Sequence, residues 1–336
     1  MTVTAQNAKH ISVLLQEVIK ALMSQENTAC KNPWFMDGTL GLAGHSKTLL
    51  QEFSRLGIKA NLCGLDRDPD ALSRAGANLA EFGDQVHLFE SDYASFETVL
   101  PEINSPLFNG ILLDLGVSSL QLGVAERGFS YHNDGPLNMR MDKGYLPQKE
   151  AMPHSETAYQ FVNKADFNTL KHVVEELGED PQAGRIARAI LDKRQEKPIE
   201  NTKELADIVY YAYPAKWRTT ARNHPATRTF QAIRMYVNDE LGQLSRFLDK
   251  ILDHVAPHGI IAIITFHSLE DRIVKQKFKE WASDCICPPH IPVCVCNHKK
   301  QAGILTKKPI LPTKEECTLN PRAGSAKLRI AQKTGA

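Results

Sequence analysis

Asp37-Gly38-Thr39-Leu40-Gly41-Leu42-Ala43-Gly44-His45 follows a short β-rich run, Trp34 to Asp37, and leads into a stretch of helical periodicity, His45 to Leu56. Glycines at 38, 41 and 44 let the backbone turn sharply and approach a ligand where the next helix begins. The spacing is G-x-x-G-x-x-G, not the G-x-G-x-x-G that seats a dinucleotide pyrophosphate, so a dehydrogenase reading fails here. Taken alone, such a turn is equally a tight connection. Its setting decides the fold, because the strand-turn-helix unit recurs.

Outward from the turn, further strands are predicted at Asn61 to Asp66, Val86 to Glu90 and Gly110 to Asp114. Between them lie amphipathic segments at Pro69 to Phe82, with Asp68 as cap and Pro69 in the first turn, and at Phe96 to Ile103. An earlier helix, Val13 to Met23, has Ser12 as its expected cap. The alternation predicts an α/β, Rossmann-like parallel sheet. Each of the four strands ends on or within two residues of an aspartate: Asp37, Asp66, Asp92 and Asp114. Ligands of open α/β sheets bind at those carboxyl ends. A ring of carboxylates there repels a pyrophosphate but suits a sulfonium cation that also carries an ammonium group and a ribose diol. Asp66 is the natural acceptor for the ribose hydroxyls, and Tyr93 can lie against adenine or simply belong to the core. For any single aspartate, a turn or cap is the simpler role.

After Asp114 the rhythm breaks. Gly116 to Pro147 is rich in Gly, Ser, Asn and Asp and reads as a long loop. Helical patterns follow at Glu156 to Val162, Ala165 to Leu177 and Pro181 to Arg194, and a fourth opens at Asn201-Thr202-Lys203-Glu204, spaced as a capping box. Residues 141–214 are therefore expected to form an inserted helical subdomain in a discontinuous domain, 1–140 and 215–336. The parallel pattern resumes with a long helix, Ala226 to Val255, the most apolar strand, Ile260 to Phe266, and a helix from Leu269 to Trp281. Ile304 to Pro309 and Lys327 to Ala331 are predicted to close the sheet as an antiparallel edge pair.

With 336 residues, 42% hydrophobic and 24% charged, the chain can bury a full core in about two domains. Met1 to His10 has no charged head before an apolar stretch, and Ile260 to Phe266 is too short to span a bilayer, so a cytoplasmic protein without membrane contact is expected. The net charge of +1 conceals a segregation: 297–336 holds nine Lys or Arg against Glu315 and Glu316, a tail of +7, which leaves −6 for the rest. A second basic stretch, Ala215 to Arg234, carries Lys216, Arg218, Arg222, Arg228 and Arg234 with no acid, plus Trp217 and Phe230 for stacking. Each run alone reads as a solvated face; two in one chain point to a phosphate backbone.

Asp114-Leu115-Gly116-Val117-Ser118-Ser119-Leu120-Gln121 leaves the fourth strand, where a methyl acceptor is expected. An exocyclic base amine is a poor nucleophile, since its lone pair is delocalised into the ring. Hydrogen-bond acceptors such as Asp114 and Ser118 can draw it out of plane during attack, with no strong base needed. Carbon methylation of a pyrimidine would instead need a cysteine nucleophile, and none follows the fourth or fifth strand.

At this point the sequence resembles the bacterial 16S ribosomal RNA cytosine-N4 methyltransferases, the RsmH or MraW family. The matching segments include His10 to Val18, Asp37 to Ser46, Leu65 to Pro69, Ile111 to Ser119, Glu126 to Ser130, Asp134 to Asp142, His224 to Gln231, Phe266 to Lys275 and Asn320 to Arg322. The resemblance implies a class I S-adenosylmethionine-dependent methyltransferase sheet with a helical insert. It implies cofactor contacts at Ala43, Gly44, His45, Asp66, Tyr93, Asp114 and Gln121, and a target cytosine in the decoding centre of 16S rRNA within the small ribosomal subunit. A non-catalytic RNA-binding module on the same fold is the alternative. The family's usual Gly-Gly-His reads Ala43-Gly44-His45 here, which is tolerated if position 43 keeps a negative φ. Asn223-His224-Pro225-Ala226-Thr227-Arg228 and Asn138-Met139-Arg140-Met141-Asp142 look like active-site rims, with Arg140 and Arg228 as candidate phosphate contacts. In Phe266-His267-Ser268-Leu269-Glu270-Asp271-Arg272, Ser268 is the expected helix cap, or His267 lines the target-base pocket.

Cys285, Cys287, Cys294 and Cys296 form C-x-C-x6-C-x-C. In a reducing compartment such thiolates can hold a tetrahedral zinc, although C-x-C is not the usual C-x-x-C clamp; a metal-free loop is the other reading. Cys30, Cys63 and Cys317 read as core or incidental.

Overall fold

The structure is a computed structural model that describes residues 12–142, 156–220, 224–288 and 293–335. It divides into two compact units, one built on a sheet and one helical, with the changeovers after Gly116 and after Glu240.

The sheet unit contains seven strands: β1 (Trp34–Asp37), β2 (Asn61–Asp66), β3 (Val86–Glu90), β4 (Phe108–Asp114), β5 (Val255–Thr265), β6 (Ala302–Ile304) and β7 (Lys327–Lys333). Their order is β3-β2-β1-β4-β5-β7-β6; β1 to β5 run parallel and β7 pairs antiparallel with both β5 and β6. The period of two sends alternate residues to opposite faces. Met36, Leu65, Ile111, Leu113, Ile261 and Ile263 enter one core, while Phe35, Leu62, Leu112, Ile260, Ala262 and Ile264 enter the other. Both faces are thus apolar, as a covered parallel sheet requires.

Several local expectations change. The first helix is Leu15–Leu22, its N-cap is Leu14 in the left-handed region, and Ser12 does not cap it. Phe96 to Ile103 forms two short 3₁₀ segments, Tyr93–Thr98 and Leu100–Ile103, because Pro101 removes a donor. β5 starts at Val255, five residues early. Its register against β4 slips between Phe108 and Gly110, so Pro257-His258-Gly259 is absorbed as a bulge with His258 at φ 63°. The β6 edge is Ala302–Ile304, and Ile310 adds only an isolated bridge to Leu328.

The helical unit is larger than the expected 141–214; it runs over 117–240. The reason is apolar packing. Helix Ala226–Asn238 contributes Phe230, Ile233 and Val237, and the supposed loop after Asp114 contributes Phe129, Leu137 and Met139, to one core with Phe161, Val174, Ile186 and Leu205. That loop is pinned rather than free: Leu137 N–H donates to the Glu200 carbonyl, Met139 N–H to that of Arg127, and Gly128 stands at φ 70° where a Cβ would lie 2.1 Å from the Pro136 oxygen. The long helix expected from Ala226 to Val255 is broken at Asp239, φ 48°, and restarts as Glu240–Lys250. Asn201 does not form the predicted capping box, since its side chain makes no cap hydrogen bond. Among the described residues no helix is long and apolar enough to cross a membrane.

Candidate active site

The turn after β1 is held from three sides. Gly38 N–H donates to the Leu112 carbonyl, Leu40 N–H to that of Leu65, and Gly41, at φ 54°, to Asp66 Oδ2 at 2.8 Å. A Cβ at Gly38 would sit 2.5 Å from Leu113 and 2.9 Å from Tyr93, so only glycine fits between β4 and the tyrosine. Gly44 opens helix Gly44–Arg55, and a Cβ there would meet Ser12 Oγ at 2.1 Å, so Ser12 packs on this glycine instead of capping the first helix. Ala43 departs from expectation: it stands at φ 63°, ψ 28°, in the left-handed region rather than at negative φ. Its side chain is fully buried there.

The four aspartates occupy the carboxyl ends of the parallel strands, yet they differ in what they already hold. Asp92 is a cap: it accepts Ser95 N–H at 2.9 Å and the Ser95 hydroxyl at 3.0 Å. Asp37 is buried and accepts the Ser46 hydroxyl at 2.6 Å and Thr39 N–H at 3.2 Å; burial pushes its carboxyl up to about 6. Asp66 accepts Gly41 and Asp68 N–H groups, and burial raises it against those donors. Its carboxylate retains lone pairs for two ribose hydroxyls. Asp114 is the least satisfied. Its Oδ1 is buried with no hydrogen-bond partner, while burial, then the charges of Asp37 and Glu270, push it up to about 8.

His45 Nε2 lies 2.8 Å from the Val13 carbonyl, which can only accept, so that nitrogen carries the hydrogen. Nδ1 lies 3.9 Å from Asp114 Oδ2. Tyr93 makes a T-shaped contact with Phe247, ring centroids 5.5 Å apart, and packs partly buried against the core. The sequence reading missed two members of this rim. Thr39 Oγ1 accepts Asp114 N–H at 2.6 Å and fixes the end of β4, and Ser46 holds Asp37. Ser46 lies nine residues past Asp37, in the first turn of the following helix, a spacing that could have flagged it.

Ala43, Gly44, His45, Asp66, Tyr93 and Asp114 thus belong to the sheet unit, with His267 just beyond β5. His267, not Ser268, caps helix Ser268–Trp281: its Nδ1 accepts Glu270 N–H at 3.4 Å. Nε2 lies 3.0 Å from Glu270 Oε1 but makes no hydrogen bond. Ser118, Gln121, Arg140 and Arg228 belong to the helical unit. Ser118 and Gln121 hold each other, Ser118 N–H donating to Gln121 Oε1 at 2.9 Å and Gln121 N–H to Ser118 Oγ at 3.2 Å. Arg140 pairs with Asp142 through two nitrogens at 3.0 and 2.8 Å, and exposed Arg228 reaches the Glu179 carbonyl at 2.8 Å. Asn223 lies outside the described residues, as does Arg222. Two residues of the basic stretch prove structural: Phe230 is buried in the helical core, and Arg234 is paired with Glu240 at 2.7 and 2.9 Å.

A parallel sheet ordered 3-2-1-4-5-7-6 with an antiparallel seventh strand, a glycine turn after β1 and an acidic rim suited to a cation define a class I S-adenosylmethionine-dependent methyltransferase. Comparison with known proteins narrows the class. The MraW methylase family matches residues 7–334, and the chain belongs to that family. It is 53% identical over 326 residues to "Ribosomal RNA small subunit methyltransferase H" of Nitratidesulfovibrio vulgaris (strain DP4), covering 97% of this chain and 96% of that one. Proteins of the same description are 51% identical in Desulfovibrio desulfuricans (99% and 97% covered) and 48% identical in Lawsonia intracellularis (96% and 99% covered).

Proposed function

We propose that this chain methylates the exocyclic N4 amine of a cytosine in the decoding centre of 16S rRNA, acting in the cytoplasm on the small ribosomal subunit. The observation that carries the reading is Asp114 Oδ1, a buried carboxyl oxygen without a partner at the end of β4. Such an atom is costly unless a ligand completes it. S-adenosylmethionine supplies an electrophilic methyl group on a sulfonium. Asp66 accepts the ribose hydroxyls, Tyr93 lies against adenine, and the backbone at Ala43, Gly44 and His45 borders the donor. The family resemblance assigns Gln121 to the donor, and the Ser118 hydroxyl is a second acceptor for the amine.

Asp114 has two parts in this reading. Its negative charge favours a cationic donor, and its oxygen accepts an N–H of the amine, so the nitrogen lone pair is freed from ring conjugation as it attacks. The proton leaves after methyl transfer and needs no base stronger than a carboxylate. Arg140 and Arg228 are assigned to RNA phosphates, Asn223 and His267 to the base. Labelled S-adenosylmethionine and small subunits lacking the modification test the whole scheme. Label should appear on one cytosine, located by mass spectrometry, and should fall at least about 100-fold with Asp114→Ala. Full transfer by that variant removes Asp114 from the chemistry.

A further inference from the structure

Between helix Ser268–Trp281 and β6 the chain runs through Cys285, Cys287, Cys294 and Cys296, and the described residues there form no helix or strand. A stretch of this length in a compact unit needs something to order it. Apolar burial does not do so: Ile286, Val293 and Val295, which flank the cysteines, are 49%, 70% and 69% exposed. The ends are nevertheless drawn together, with Gln301 N–H donating to the Trp281 carbonyl at 2.7 Å and His298 Nε2 to that of Glu280 at 3.0 Å.

The sulfurs supply the missing reason. Cys285 and Cys294 Sγ lie 3.5 Å apart, Cys294 and Cys296 3.6 Å, Cys296 and Cys285 3.8 Å, and all four fall within 4.8 Å of one another. An ion bound tetrahedrally at about 2.3 Å from each sulfur would set them about 3.8 Å apart. Near-equal spacing among three sulfurs fits a shared central ligand, not two separate disulfides. The backbone is arranged accordingly: Ile286 N–H points to Cys296 Sγ at 3.5 Å, Val295 N–H to Cys287 Sγ at 3.4 Å, and Cys287 N–H to Cys285 Sγ at 3.4 Å. Each C-x-C arm thus donates to a sulfur of the other, and such donors stabilise thiolates. His298 is spent on the Glu280 carbonyl, which leaves a four-thiolate set.

We propose that these cysteines bind one zinc ion as a structural four-thiolate site, which staples the two C-x-C arms and orders the segment leading to Lys299 and Lys300. Closed four-sulfur sites of this kind brace structure and carry no open position for chemistry. The site shares no residue with the acidic rim, so its test is independent of methyl transfer.

Full-length protein purified under reducing conditions from zinc-containing medium should hold one zinc per chain by elemental mass spectrometry. A variant with Cys285, Cys287, Cys294 and Cys296 all replaced by serine should hold none, while its far-ultraviolet circular dichroism stays that of the parent. Cobalt added to metal-stripped parent should give the absorption of tetrahedral thiolate-bound cobalt. Chelation of the parent should open 282–301 to protease to the same extent as the serine replacements. Zinc no higher in the parent than in the serine variant, iron in place of zinc, or protease cleavage indifferent to chelation would each overturn the assignment.

Discussion

Ala43 and Asp114 are both held in states that ordinary folding disfavours. An alanine in the left-handed region is strained by roughly 1–2 kcal/mol, whereas glycine is not. Removing the buried methyl forfeits about 0.8 kcal/mol of burial. The strain is the larger quantity, so Ala43→Gly should raise stability by about 0.5 kcal/mol, seen as a higher urea midpoint at unchanged slope; a lower midpoint would show that the methyl's packing wins. For Asp114 the sign follows from its raised value of about 8. The native state holds a proton that the unfolded chain, with its ordinary carboxyl, has lost above about pH 4. Stability without ligand should therefore fall as pH rises from about 4 to 8, and Asp37, pushed up to about 6, adds to the lower part of that range. Asp114→Asn should remove most of the slope and stabilise the ligand-free protein at about pH 8 by roughly 1–3 kcal/mol. A cationic methyl donor prefers the ionised carboxyl, so its binding at about pH 7 should release up to one proton, measurable by calorimetry in buffers of different ionisation enthalpy. Binding that exchanges no proton would separate Asp114 from the donor. The carboxylates at the strand ends were legible in the sequence because strand ends and aspartates are both local features. The Asp92 cap is local too, since Ser95 is three residues on; that Asp37 is held while Asp114 has a bare oxygen was not legible, because it depends on which side chains, such as Ser46, the fold brings to each carboxylate.

At the level of elements, the parallel strands were readable because period and composition are set within a few residues. The boundaries that moved have tertiary causes. Pro257 and Gly259 signal a stop, yet β5 accommodates them in a bulge; Asp239 looks helical by pattern, yet it takes a left-handed turn. The unit boundary moved from 214 to 240 because the apolar face of Ala226–Asn238 finds its partners among the insert helices, which pattern alone cannot assign. The antiparallel closing strand was foreseen, but not what ties it down. On β7, Arg329 is buried and meets Asp271 of helix Ser268–Trp281 through two nitrogens at 2.7 and 3.1 Å, with Lys327 at 3.7 Å. Burial alone would raise Asp271, but Arg329 brings it below the ordinary carboxylate value. Arg329→Met leaves that carboxylate with only the weaker fields of Lys327 and Lys275 and should cost about 2–4 kcal/mol near neutral pH, by chemical unfolding. The pair's contribution is present above about pH 4 and is lost as pH falls through the depressed value. The deficit should therefore shrink in acid; a deficit independent of pH would assign the loss to packing of the arginine stem instead.

Across the whole molecule, the charge segregation read from sequence has to be reduced by what the fold consumes. Of the nine basic residues in 297–336, Arg329 and Lys327 pair with Asp271, and Lys333 donates to the Val255 carbonyl. Lys299, Lys300, Lys307, Lys308 and Lys314 are exposed, and they are the tail's candidates for meeting a phosphate backbone. Lys307 and Lys308 are adjacent and lie in the segment between β6 and β7, outside the acidic rim and outside the cysteine cluster, so neutralising them leaves the other proposed sites intact. Each phosphate contact releases condensed counterions, with a slope of about 0.7–0.9 in the logarithm of affinity against the logarithm of salt. Lys307→Gln with Lys308→Gln should weaken small-subunit binding at low salt and reduce that slope by roughly 1–2, while S-adenosylmethionine affinity stays unchanged. As salt rises, the parent and variant curves should converge, because the lost contribution is the one that salt already screens. Parallel curves would mean that the two lysines contribute a salt-independent contact or none, and the RNA-facing charge would then have to lie elsewhere, at Lys299, Lys300 and Lys314 or among Arg140, Arg218 and Arg228 of the helical unit.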